Sequence, residues 1–170
     1  NTHREKSKLV QLFVTFVVII GIDFACMKVI NVMGASIDGR IASHPQESDA
    51  ERKRYGFTNE ADHAHLRRLL ATCDAVIVGG HSVNVSGGVM EVQRTDGIRP
   101  TWVLCSNAGF APDRPIWSQP ETPKWLVSRE ALPEDRCPEA VRNIVYGERG
   151  FAEAAIEACR AEGFKRVLLF

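Results

Sequence analysis

The sequence has no Cys-x-x-Cys pair, and its five cysteines (Cys26, Cys73, Cys105, Cys137 and Cys159) are odd in number and scattered. That excludes a disulfide framework and a zinc site of the usual spacing, and it points to a reducing cytoplasmic setting. Net charge is also missing, with 21 Lys and Arg set against 21 Asp and Glu. No bulk field draws nucleic acid or an anionic membrane, so an anionic ligand has to be held by local groups. Neither Gly-x-Gly-x-x-Gly nor Gly-x-x-x-x-Gly-Lys-Ser/Thr occurs, which excludes the ordinary dinucleotide fingerprint and the P-loop. The apolar run at residues 9–22 is 14 residues long, short of the ~20 that span a bilayer.

What is present is the profile of one globular domain: 170 residues, 45% apolar and 25% charged. The first residue is Asn, and Arg4, Lys6 and Lys8 precede the apolar run, which Asp23 closes. Two readings follow. Residues 1–26 are an upstream extension to a domain that begins at Met27, or they are a basic segment and apolar core resembling a signal or anchor. The first is preferred because the domain pattern starts cleanly at Lys28.

From Met27 onward, short apolar runs alternate with helical periodicity, the signature of an α/β fold with a mostly parallel central sheet and helices on both faces. Val29, Ile30, Val32 and Met33 read as a first strand that ends in Gly34-Ala35-Ser36, followed by an Asp38-Gly39 turn. Residues 44–55 read as a polar surface loop of lid length. Thr58 or Asn59 caps a helix with a buried stripe of Ala61, Leu66, Leu69, Leu70 and Cys73. Further strands are expected at residues 74–80, 101–105, 124–127, 143–146 and 165–170. A long connection at 81–97 carries a weak strand signal at Val89, Met90 and Val92. A last helix over 149–162 is expected to bury Phe151, Ala154, Ala155, Ala158 and Cys159 and to stop at Gly163.

The strand ends carry the functional argument. Gly34-Ala35-Ser36, Gly79-Gly80, Ser106-Asn107, Ser128 and Gly147 are small or polar, and all fall at the carboxyl ends of expected parallel strands. Parallel sheets bind ligands along that edge, so the five ends predict one crevice of nucleotide size. His63 and His65 do not chelate one ion, because residues two apart on a helix point about 200° apart. Cys73 and Cys159 lie on apolar stripes and read as core residues. Trp102, Trp117 and Trp125 read as packing residues.

Asn31-Val-Met-Gly-Ala-Ser-Ile-Asp-Gly-Arg-Ile-Ala42 resembles the amino-terminal signature of the riboflavin-biosynthesis reductase domain, a branch of the dihydrofolate-reductase-like fold. Asp74-Ala-Val-Ile-Val-Gly-Gly-His-Ser-Val83 resembles the family's second block, a strand followed by Gly-x-x-Thr-Val. The resemblance runs from Met27 to Phe170. It implies an NADPH-dependent reductase that passes hydride to a small heterocycle, in the type case a ribosylamino-pyrimidine phosphate on the way to riboflavin.

Carried over by position, the resemblance implies cofactor contacts at Ala35, Gly79, Gly80, Ser82, Ser86, Tyr146 and Gly147. It implies substrate contacts at Asn31, Ser36, Thr58 and Arg94. Ser82 stands where the family has a threonine and keeps the hydroxyl, and Ser86 replaces an acidic residue. Arg94 lies one position from the arginine that helps hold the substrate phosphate. Asp38 is the candidate for polarising or protonating the substrate, with a turn-forming role as its alternative. Thr58 is alternatively explained as a helix cap. The family also implies a homodimer and a glycine triplet after the last strand, so the chain is expected to be a piece of a longer one. Two other readings stay open: a dihydrofolate- or dihydropteridine-reducing paralogue, favoured by the altered segment from Ser86 to Arg94, and a non-catalytic nucleotide-binding module of the same fold.

Overall fold

The computed structural model describes residues 14–16, 27–35, 42, 44–54, 59–86, 88–137 and 141–170. In chain order the elements are β1 (Val14–Phe16), β2 (Lys28–Asn31), β3 (Met33–Ala35), α1 (Asp49–Arg54), α2 (Glu60–Leu70), β4 (Ala75–Gly79) and α3 (Gly80–Ser86). There follow β5 (Thr101–Cys105), a single 3-10 turn at Pro115–Ser118, β6 (Lys124–Ser128), β7 (Arg142–Val145), α4 (Phe151–Ala161) and β8 (Arg166–Leu169). Six strands form one sheet in the order β2-β8-β4-β5-β6-β7, and every neighbouring pair is parallel.

The period of two along each strand sends alternate residues to opposite faces. On one face Ile30, Leu168, Val76, Val78, Trp102, Leu104 and Leu126 share a core with Leu70 of α2 and Val83 of α3. On the other, Val29, Val167, Ala75, Ile77, Val103, Trp125 and Val127 pack against Ala154, Ala155 and Cys159 of α4. Helices therefore cover both faces, as the near-continuous apolar runs require. Burial pushes the Cys159 thiol up to about 12, consistent with a core residue.

Local signals set the helix ends. The Asn59 side chain accepts from the N–H groups of Ala61 (2.8 Å) and Asp62 (3.1 Å), and Asp62 accepts from Asn59 N–H (3.0 Å), a closed capping box. Gly163, at φ +85°, ends the segment after α4 in a conformation that favours glycine.

Several expectations need correction. Residues 44–55 are not all loop: Ser48 and Glu51 form a second reciprocal cap, with Ser48 N–H and Oγ–H each donating to Glu51 Oε2 at 2.8 Å, and this starts α1. The connection after β4 opens with α3, and Val89, Met90 and Val92 pack against the core without forming a strand. Ala61 is exposed. Phe151 is 51% exposed, because the first residue of α4 lies beyond the part of the helix that meets the sheet. The first strand breaks at Val32, whose N–H still donates to Leu169 O (3.1 Å). Beyond the break, Met33–Ala35 turns away to pair antiparallel with Val14–Phe16. The apolar run at 9–22 thus contributes a strand, and its other residues lie outside those described. Among the described residues no helix is long and apolar enough to cross a membrane.

The amino edge of the sheet is locked by charge. Asp74 accepts N–H bonds from Lys165 (2.7 Å) and Arg166 (2.8 Å) at the entrance to β8, and it pairs with Arg94. Burial pushes the Asp74 carboxyl up, but the Lys165 and Arg166 N–H groups and the Arg94 guanidinium outweigh that push and hold it below the usual aspartate value. A depressed carboxyl contributes stability above its unfolded pKa and loses it as pH falls through the folded one. Asp74→Ala is therefore expected to cost about 2 kcal/mol at neutral pH. In denaturant titrations the wild-type advantage over Asp74→Ala should shrink as pH drops below about 4.

Candidate functional site

Strand register brings the expected strand ends level. Gly79 pairs with Cys105, Cys105 with Val127, and Ser128 with Val145. Gly79, Gly80, Ser106, Asn107, Tyr146 and Gly147 consequently gather along one carboxyl edge. The two adjacent glycines serve different needs. A Cβ on Gly80 would lie 2.8 Å from Ser106 Cβ, 3.0 Å from its Oγ and 3.2 Å from Cys105 O, so α3 begins hard against the end of β5. A Cβ on Gly79 would meet nothing within 4 Å. The backbone at Gly79 is thus open at the carboxyl edge, while at Gly80 it is sealed against the neighbouring strand.

Asn107 organises the other half of the edge. Its Oδ1 accepts the backbone N–H of Arg129 (2.9 Å) and the hydroxyl of Tyr146 (3.0 Å). One side chain after β5 thereby fixes the chain after β6 and the chain after β7. Backbone bonds reinforce the tie, with Tyr146 N–H donating to Ser128 O (3.0 Å) and Gly147 N–H to Arg129 O (3.0 Å). Gly147, at φ +60°, has open space where a Cβ would stand. This linking role is invisible in a single sequence, which shows only a polar strand end.

Ser128 differs from expectation. It is fully buried, and its hydroxyl donates to Glu130 O (2.7 Å) with Asn143 Oδ1 at 3.2 Å, so it braces the turn and lines no crevice. On α3, Ser82 is exposed, and Ser86 returns its hydroxyl to Ser82 O (2.8 Å) one helical turn back. Asn31 ends β2 beside Leu169, two strands from β4. Ala35 lies in β3, beyond the break in the first strand. Ser36, Asp38 and Thr58 lie outside the described residues.

Arg94 is not at this edge. It is bound to Asp74, immediately before β4, and to Asp96 (2.7 Å), which puts it at the opposite end of the sheet with its guanidinium engaged. Sequence spacing could not reveal this, because the side of the sheet on which the connection at 88–99 lies is set by tertiary contacts. Gln119 supplies some of these, donating to Val89 O (3.0 Å) and accepting from Val89 N–H (3.3 Å). One contact at this edge was also missed: His81, in the first turn of α3, lies with Nε2 2.7 Å from Pro45 O and ties the segment before α1 to the carboxyl edge.

The sequence model of the RibD C-terminal domain matches residues 27–170. The chain belongs to that family. Its fold is similar to that of Acinetobacter baumannii RibD (TM-score 0.61, 18% identity, 82% of this chain and 38% of that one). It is also similar to the Thermotoga maritima diaminohydroxyphosphoribosylaminopyrimidine deaminase/5-amino-6-(5-phosphoribosylamino)uracil reductase (0.59, 16%, 78% and 35%). A pyrimidine reductase-like protein from Corynebacterium diphtheriae shares the fold (0.55, 17%, 83% and 62%). The chain thus spans between about a third and two thirds of the length of these proteins. No curated protein matches the sequence. The match fixes the fold as the dihydrofolate-reductase-like arrangement of the RibD reductase domain.

The two glycines can be separated experimentally. Gly80→Ala is expected to lose about 1–3 kcal/mol, since its methyl group collides with Ser106 and backbone. Gly79→Ala should unfold within about 0.5 kcal/mol of wild type. Thermal melts of the two variants side by side check the assignment, and equal losses would refute it.

Proposed function

We propose that this chain is an NADPH-dependent reductase acting on a pyrimidine-like heterocycle. The observation that carries the reading is the level carboxyl edge, bared at Gly79 and held together by Asn107, in a chain of the RibD C-terminal domain family. The residues present fit a dinucleotide. Gly79 lets a flat or extended group approach the backbone, Ser82 offers an exposed hydroxyl on α3, and Tyr146 and Gly147 bound the far end. When bound, the nicotinamide supplies the hydride, and the protein's share is orientation and electrostatics. Ala35 joins the cofactor side in this reading, and Asn31, Ser36 and Thr58 form the substrate side, with Asp38 as the proton-handling group. A cytoplasmic homodimer belongs to the same reading and rests on the resemblance.

The position of Arg94 favours a second reading for the substrate. With its guanidinium bound to Asp74 and Asp96 at the amino edge, it is removed from a substrate phosphate. That favours a heterocycle without a phosphate, such as a dihydropteridine. NADPH consumption decides the matter. The primary reading expects turnover with a ribosylamino-pyrimidine phosphate, and the second expects turnover with a dihydropteridine. Gly79→Ala should weaken NADPH roughly tenfold or more while leaving the melt unchanged, since its methyl group enters only the ligand's space. If NADPH neither shifts the melting temperature nor is consumed with either substrate class, the reductase reading fails and a non-catalytic module takes its place.

A further inference from the structure

The segment that precedes α1 is fastened to the carboxyl edge by one side chain. His81 stands two residues past Gly79, in the first turn of α3, and its Nε2 lies 2.7 Å from Pro45 O. A carbonyl oxygen only accepts, so Nε2 carries the proton and donates. The bond spans 36 residues of sequence, too many for a local turn, so it fixes where the segment lies and not how it is coiled. Gly79 is exposed, and a Cβ there would meet nothing within 4 Å, so open space adjoins the point of attachment.

The segment is organised in itself. Glu47 N–H donates to His44 O (3.1 Å), closing a turn around Pro45 and Gln46. Ser48 and Glu51 cap each other directly after it, and His44 Nε2 comes within 3.7 Å of Glu51 Oε1. Turn, cap and α1 thus form one short, internally bonded strap. Pro45 has the fixed φ of its ring, so the acceptor that His81 holds is presented by stiff backbone. His44, Pro45 and Gln46 are exposed, whereas Glu47 is only 4% exposed, so the strap is seated on the protein just past the turn.

We propose that His81 is a positioning residue that latches the strap at 44–48 beside the open backbone of Gly79, so that the strap walls the ligand in and slows its escape. The proposal rests on the reductase reading for its ligand, NADPH, and adds a moving part to it. A ligand lying against both the strap and Gly79 favours the latched state, and by linkage the latched state binds that ligand more tightly by the same factor. His81 acts through the position of the strap and needs no contact with the ligand.

Hydrogen exchange over residues 44–54, read by mass spectrometry, together with NADPH binding to the full 170-residue chain, tests this, with thermal melts as the control for folding. In His81→Ala, exchange at 44–54 without ligand should quicken about three- to tenfold, and NADPH should bind roughly three- to tenfold more weakly, chiefly through faster release. NADPH should slow exchange at 44–54 in wild type and do so much less in His81→Ala. His81→Gln should restore most of both effects, because its amide offers an N–H donor near the place of Nε2. Unchanged exchange in His81→Ala, quickened exchange with unchanged NADPH affinity, or equal losses in His81→Ala and His81→Gln would each overturn the latch and leave the reductase reading standing. A wild type in which NADPH binds without protecting 44–54 does the same. A wild type that binds no NADPH overturns the reductase reading and the latch together.

Discussion

The carboxylate of Asp74 is the interaction on which the sheet depends. Among the described residues β2, the first strand of the sheet, pairs within it only with β8, the last strand of the sheet in sequence order. The sheet therefore closes only when β8 is inserted between β2 and β4. Asp74 marks that slot. Its side chain receives the N–H groups of Lys165 and Arg166 as β8 enters, its own N–H donates to Arg166 O (2.8 Å), and its carbonyl accepts from Thr101 as β5 begins (2.9 Å). One residue joins β4, β5 and β8, and through Arg94 it also fastens the connection at 88–99. The partners are 91 and 92 residues apart in sequence, so these bonds have to offset the entropy of closing a long loop.

The two ends of the parallel strands have divided their chemistry. At the amino end, three cations are engaged by the protein itself. Arg94 is bound by Asp74 and Asp96, Arg99 by Glu121 (2.7 Å), and Lys124 by the carbonyls of Gln119 and Thr122. Burial pulls the Lys124 amine below its usual value, as expected of an ammonium that works as a structural donor. At the carboxyl end, the groups are small, neutral or only loosely paired. With net charge zero, this asymmetry gives the molecule an end that can take an anion, although the chain as a whole attracts none.

Much of the fold was legible because it rests on short-range rules. β5 lies at residues 101–105, as its run of Val and Leu and its flanks imply, and Gly163 ends the α4 segment through a positive φ. The start of α2 was readable to within Thr58 or Asn59, and the structure settles the cap on Asn59 with Asp62 completing it. The cap at Ser48 and Glu51 obeys the same rule but is hard to read, because the segment around it has no apolar periodicity. α3 was hidden for a related reason, since seven residues with two glycine neighbours carry too little pattern to outweigh a loop reading. In the site, small strand ends could be placed along one edge from topology alone. Which of them face the crevice could not, because Ser128 turns inward to meet Glu130 and Asn143, contacts that depend on the path of the chain beyond the strand.

Two polar ties, at opposite ends of the sheet, define how a ligand could act on the whole. Asp74 organises the half built from β2, β8 and β4, and Asn107 organises the half built from β5, β6 and β7. Between them run the β4–β5 pairing and the contact of Gly80 with Ser106, which presses the first turn of α3 against the end of β5. In the proposed reading, a dinucleotide lying from Gly79 to Gly147 would cross that boundary and contact both halves. Under that reading its occupancy would stabilise the closed sheet by RT ln(1 + L/Kd), where L is the ligand concentration, a logarithmic gain. The β2–β8 slot, where the contacts most distant in sequence lie, falls on the other side of that boundary and is joined to it through the β4–β8 pairing.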